Sequence, residues 1–170
     1  MKALQRFHGS WIFDGEVVYL DPKTGEEKFT PCQRRCSTQY PDPFLNQQYP
    51  ITMQVFDILK ADGEDLKLTA YKDRKDRLHE LFSDEDDVLI ENPDDPIQYV
   101  PYETDLLKAW KTVLKKKREG LIVKQFDSPY EEGDRSYNWQ KVKNWRFENY
   151  LANYVASTKC DVFAFTQVFR

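Results

Sequence analysis

At 170 residues the chain has room for one domain and the beginning of a second. Hydrophobic residues make up 40%, enough for a packed core, but no apolar run approaches the ~18 residues of a membrane span, and the polar residues after Met1-Lys2-Ala3 give no secretory signal. The formal net charge of −4 excludes a uniformly basic nucleic-acid module, so a phosphate-bearing partner must meet a local basic patch, either Lys115 to Arg118 or the run Lys141, Lys143, Arg146.

Trp11 to Leu20 reads as a strand, followed by a turn at Asp21 to Gly25, with Glu26 to Phe29 as a hairpin return. Pro31 to Thr38 reads as a short helix. Three prolines make Tyr40 to Pro50 a loop. Ile51 to Leu59 is an apolar strand ending in a turn at Ala61-Asp62-Gly63. Tyr71 to Phe82 is a helix, with Tyr71, Arg74, Leu78, Leu81 and Phe82 near the i, i+3, i+4 spacing. An acidic loop, Ser83 to Pro96, surrounds Val88 to Ile90, and Gln98 to Val100 is a further strand. Glu103 to Arg118 is a second helix, with Leu106, Leu107, Trp110 and Leu114 on its stripe. Strands follow at Leu121 to Val123, Trp139 to Lys143, Tyr150 to Ala156 and Val162 to Phe169. Strands and helices mix without alternating, which predicts an α+β fold with largely antiparallel sheets and packed helices.

Cys32 and Cys36 stand at C-x-x-x-C spacing and Cys160 is distant. No second Cys/His pair lies at zinc-site spacing, and His8 and His79 are isolated, so the pattern reads as reduced thiols in a cytoplasmic protein.

Four segments carry chemistry. In a strand through Trp139 to Lys143, Lys141 and Lys143 point one way and Gln140 and Val142 the other. Two ammonium groups on one face suit a triphosphate, or else solvent at a sheet edge. Glu119-Gly120 opens an apolar strand in which Ile122 and Lys124 share a face. Asp14 and Glu16 likewise share a face, and paired carboxylates suit a divalent metal or a ribose hydroxyl. Phe56, in the strand through Gln54 to Leu59, is either core or a base-stacking ring.

The order and spacing of F-D-G-E-V-V (13–18), Q-V-F-D-I-L (54–59), E-G-L-I-V-K (119–124) and W-Q-K-V-K (139–143) resemble the nucleotide-binding motifs of ATP-dependent DNA ligases, in the covalent nucleotidyltransferase superfamily. Asp127 to Ser136, Phe29 to Cys36 and Gly63 to Lys75 resemble the family's connecting stretches, with Cys32 and Cys36 in leucine places. The resemblance implies an adenylation domain over 1–146 and, over 147–170, the start of an OB-fold barrel. It implies ATP, as its AMP moiety, and Mg2+ or another divalent metal as cofactors. Glu16, Phe56, Ile122, Lys124, Lys141 and Lys143 would bind the nucleotide, with Glu16 and Glu119 at the metal. Nicked double-stranded DNA would be the substrate of the complete enzyme.

The family's nucleophilic lysine lies in a K-x-D-G motif several dozen residues before D-G-E, where this chain has only Met1 to Phe13. Lys60-Ala61-Asp62-Gly63 spells the motif, but it directly follows the Phe56 strand, where the family has a turn. Lys60 is therefore read as a decoy, and the chain is not expected to adenylate itself. The expected identity is a ligase fragment. The alternatives are a subunit that joins an N-terminal ligase fragment, an inactive nucleotide- or nucleic-acid-binding remnant, or a relative of RNA ligases or capping enzymes.

Overall fold

The computed structural model describes residues 6–40, 42–84, 86–90, 92, 94–133 and 136–144, with the backbone of 163–168. Arg146, Cys160 and the strand expected at Tyr150 to Ala156 lie outside the described residues. The elements run β1 (Trp11–Tyr19), α1 (Phe29–Cys36), α2 (Pro43–Gln48), β2 (Ile51–Ala61), β3 (Glu64–Asp65), α3 (Tyr71–Phe82), β4 (Ile97–Tyr99), α4 (Leu106–Lys115), β5 (Gly120–Gln125), β6 (Trp139–Lys143) and β7 (Phe163–Val168). The fold is α+β, as expected. One sheet joins β1, β2 and β3 antiparallel, with β4 parallel to β2, and the second has the order β6-β5-β7, all antiparallel. Of residues 147–170 only the β7 backbone is described, and it is the third strand of that second sheet.

Two bulges shape the first sheet. Ile12 faces Lys60 but Phe13 faces Ile58, and Asp14 faces Asp57 but Gly15 faces Val55. Leu59 and Phe56 are thus extra residues in β2. A bulge bends its strand and re-aims the side chains beside it. Gly15 stands at the second bulge, where an added Cβ would lie 2.7 Å from the Gln54 carbonyl oxygen. The hairpin return after β1 shrinks to one bridge, Leu20 to Glu27, because Phe29 already starts α1.

The stretch from Tyr40 to Pro50 is not all loop: it holds α2. Asp42 caps the helix by accepting from the Phe44 N–H at 2.8 Å, and Pro43 sits in the first turn, where its missing N–H costs nothing. The prolines mark boundaries here. α3 has the expected bounds and buries Tyr71, Arg74, Lys75, Leu78 and Phe82. It packs Leu78 and Phe82 against Val55, Ile58, Ala61, Leu66 and Ile97. α4 is shorter than the periodicity predicts, capped by Asp105 and stopped at Lys116. Its buried stripe is Leu106, Ala109, Trp110 and Val113, packed on Leu121, Val123 and Val142 of the second sheet, while Leu107 and Leu114 are exposed. Among the described residues no helix is long and apolar enough to cross a membrane.

Gly120 marks the closest approach in the second sheet. A Cβ there would lie 2.0 Å from the Val142 carbonyl oxygen, inside the β5–β6 ladder. Gly120→Ala is therefore expected to cost about 1–3 kcal/mol, as overpacking of a tight site does. A urea unfolding curve reads this as a lower midpoint, and an unchanged midpoint would show that β6 yields without cost.

Candidate functional site

β5 and β6 place the lysines and one carboxylate. Ile122 pairs with Lys141 and Gly120 with Lys143, so the side chains of Ile122, Lys141 and Lys143 rise from the same face. Glu119, immediately before β5, accepts hydrogen bonds on one carboxylate oxygen from Lys141 Nζ at 3.1 Å and Lys143 Nζ at 3.2 Å. Burial pushes the Glu119 carboxyl up, but the two lysine hydrogen bonds and charges outweigh it, and the net shift is downward. Glu16 approaches from β1. Burial raises its carboxyl above the ordinary value, Lys141 opposes that, and the Glu119 charge adds to it. Glu16, Glu119 and Lys141 thus share one electrostatic neighbourhood although they come from both sheets.

Beside this group lies an aromatic floor. The bulge turns Phe56 and Asp57 together toward β5. Phe56 packs on the Val18 and Val100 cluster, and Lys124 Nζ lies 5.1 Å from its ring centre. Lys124 is only 2% exposed, so it does not reach up as a free phosphate ligand. Its ammonium is 3.3 Å from Asp57 Oδ2, 3.6 Å from the Trp139 ring centre and 4.8 Å from that of Tyr71. Burial pulls its pKa down, against the opposing charge of Asp57. A separate cavity of about 500 Å³ opens beside β4 between Leu20, Gln54, Gln98, Val100 and Arg118, and neither Glu119 nor the two strand lysines line it.

Asp57, Arg74 and Lys75 escaped the sequence-based site. Arg74 donates to both Asp57 oxygens, Nε to Oδ1 at 2.9 Å and Nη2 to Oδ2 at 3.0 Å, with neither side chain exposed. Lys75 is equally buried; it donates to the Val100 carbonyl at 2.7 Å and sits 3.9 Å from the Tyr99 ring centre. Tyr130 Oη donates to Asp14 at 2.8 Å, tying the loop after β5 to β1. A carboxylate inside an apolar strand and two cations on the apolar stripe of a helix were the legible signals, since buried charges require partners.

Lys60 lies in β2 between Ile12 and Asp65, just before a turn with Asp62 and Gly63 at positive φ. It is six residues beyond Gln54, the partner of Glu16, or about 20 Å at the rise of a strand. Two of the four members of the basic run at the end of α4 are committed to internal pairs. Lys117 pairs with Glu26, and Arg118, 7% exposed, pairs with Glu27 at 3.1 Å. That leaves Lys141 and Lys143 as the accessible pair at the carboxylates.

Strand-borne cations answering carboxylates beside an aromatic floor are the arrangement expected of a nucleotidyltransferase pocket. The family model for the ATP-dependent DNA ligase domain matches residues 1–143. The DNA ligase of Haloferax volcanii is 34% identical over 136 residues, covering 78% of this chain and 22% of the relative. The bifunctional non-homologous end joining protein LigD of Bacillus subtilis is 34% identical over 140 residues, with the same coverages. The ligase domain of M. tuberculosis LigD superposes with a TM-score of 0.58 at 27% identity, over 78% of this chain and 37% of that one. The chain belongs to the ATP-dependent DNA ligase domain family. It spans about a fifth of the length of these curated relatives.

Two expectations follow. Asp57→Ala leaves Arg74 and Lys124 buried without their counter-charge and is expected to cost about 3–5 kcal/mol. Lys141→Ala, at an exposed pair, is expected to cost under about 1 kcal/mol. Equal costs in denaturant titrations would contradict this ranking. The second concerns pH. Burial, helped by Lys124 and opposed by Asp57, pulls Lys75 down from 10.5 to about 7. Between those values the unfolded chain binds more protons than the folded one, so stability rises with pH through that window, by at most about 1.4 kcal/mol per unit. Below about 7 the penalty is fully present. Unfolding at pH 7 and pH 9 should show a gain for the wild type that Lys75→Met reduces. An equal gain in both would remove Lys75 as its source.

Proposed function

We propose that this chain supplies the nucleotide-holding part of an ATP-dependent DNA ligase, acting on ATP and, in the whole enzyme, on nicked double-stranded DNA. The observation that carries this reading is the Glu119 carboxylate held jointly by Lys141 and Lys143, with Glu16 in the same field. A triphosphate competes with Glu119 for those two ammonium groups and is better matched to their combined charge. Once there, the lysines offset charge that develops on the transferring phosphate. Phe56, and Ile122 on the face of Lys141, take the two sides of the adenine, and Glu16 takes a ribose hydroxyl. Lys124 serves from beneath, fixing Asp57 and with it the bulge that presents Phe56.

Glu16 and Glu119 are the residues that would hold a divalent metal such as Mg2+, which when bound offsets phosphate charge. Among the described residues no group of three metal-ligating side chains occurs. Two carboxylates completed by phosphate oxygens and water nevertheless fit the way Mg2+ is commonly held. The attacking lysine is expected from a segment outside these 170 residues, on the same chain or on an N-terminal partner fragment, because Lys60 lies too far along β2. The family reaction then runs through lysyl-AMP and DNA-adenylate to the sealed strand.

The test is calorimetric titration of Mg-ATP into three proteins: wild type, Lys141→Ala/Lys143→Ala, and Lys115→Ala/Lys116→Ala. The strand pair is expected to weaken binding ~10-fold or more, equivalent to about 1.4 kcal/mol, and the helix-end pair much less. Equal losses would reduce the binding to diffuse electrostatics and remove the site. With labelled ATP no covalent band is expected from this chain alone. A band that disappears in Lys60→Ala would return Lys60 to the nucleophile's role.

A further inference from the structure

Cys32 and Cys36 have no part in the nucleotide reading, and the helix gives the pair a geometry. Both lie in α1 at i and i+4, one turn apart on one face. Cys32 is half-buried and its thiol donates to the Val17 carbonyl at 3.2 Å. Cys36 is exposed, one helical turn beyond Cys32 on the same face. Burial above all, then the neighbouring Cys36 and the Glu27 and Glu16 carboxylates, push the Cys32 thiol up to about 11, so it waits as a protonated thiol.

Magnitudes decide what such a pair can do. Side chains at i and i+4 have Cβ atoms about 5–6 Å apart, whereas a disulfide requires about 3.5–4.5 Å, so closing one would unwind the helix end. Structural zinc requires four ligands, and among the described residues no third metal-ligating side chain joins the two sulfurs. A centre that closes its shell on two sulfurs and sits between them meets neither obstacle. Trivalent arsenic bearing one organic group is such a centre, since two further bonds complete its three, and two thiols one turn apart on one helix face can both turn toward it.

We propose that Cys32 and Cys36 form a two-sulfur chelating site for monosubstituted trivalent arsenicals. With phenylarsine oxide as probe, two As–S bonds form, the As–O bond breaks, and both thiol protons leave with the oxide oxygen as water. Arsenic stays trivalent and no oxidant is consumed. Coordination displaces the Cys32 proton despite its raised pKa, as binding to a thiophilic centre does. It also takes the hydrogen-bond donor from the Val17 carbonyl, beside Glu16 on β1. The site stands independently of the nucleotide reading.

The test is intact-mass analysis after phenylarsine oxide, in excess 2-mercaptoethanol, for wild type, Cys36→Ser, Cys32→Ser and Cys160→Ser. One phenylarsenic per chain is expected on the wild type and on Cys160→Ser, because chelation resists a competing monothiol, and it should be stripped by 2,3-dimercaptopropanol. Cys36→Ser alters an exposed position and keeps the fold, so its loss of the adduct, shared by Cys32→Ser, reads the chelate directly. No adduct on the wild type, retention in Cys36→Ser, or loss in Cys160→Ser would each overturn the proposal.

Discussion

The buried charge cluster at Asp57 is the constraint on which the remaining structure depends. Asp57 from β2, Arg74 from α3 and Lys124 from β5 meet with no more than 2% exposure each. Each would be prohibitively costly to bury alone, and loss of Asp57 strands both cations. Arg74 also donates to the carbonyls of Thr69 and Ser128, so the cluster reaches the loops before α3 and after β5. Tyr71, Trp139 and Phe56 close over the Lys124 ammonium, adding ring faces to the single carboxylate. The first sheet is thereby fixed against the second, which sets Glu16 on β1 opposite Lys141 on β6.

The same economy governs the surface charge. The chain carries 29 acidic and 25 basic residues, so free positive charge is scarce. Arg118 and Lys117 are committed to Glu27 and Glu26, an arrangement that secures the end of α4 to the segment leading into α1. Lys141 and Lys143 share one carboxylate and remain more than 40% exposed. Two charges facing one is an unbalanced arrangement, and it occurs where the strand geometry makes both lysines point the same way.

Local pattern fixed some elements unambiguously. α3 runs from Tyr71 to Phe82 as its stripe requires, and the Asp62-Gly63 turn adopts the positive φ those residue types favour. The prolines around α2 mislead, because a proline in the first turn of a helix carries the same composition as one in a loop. On α4 the apolar residues run wider than one face. Only contact with Leu121, Val123 and Val142 selects Ala109 and Val113 over Leu107 and Leu114.

The sequence by itself determined the α+β class, the ordered motifs that mark the family, and the shared face of Lys141 and Lys143, because strand period and motif order are local properties of the chain. It also showed that Lys60-Ala61-Asp62-Gly63 ends a strand in turn chemistry. Only the tertiary structure decided that Lys124 is a buried partner of Asp57 rather than a ligand reaching outward, that Arg118 is internal, and that Phe56 is presented by a bulge. Those outcomes depend on which charges meet across positions 57, 74 and 124, and on a register shift between β1 and β2. Neither is encoded in any window of neighbouring residues, since both arise from the packing of segments distant in sequence.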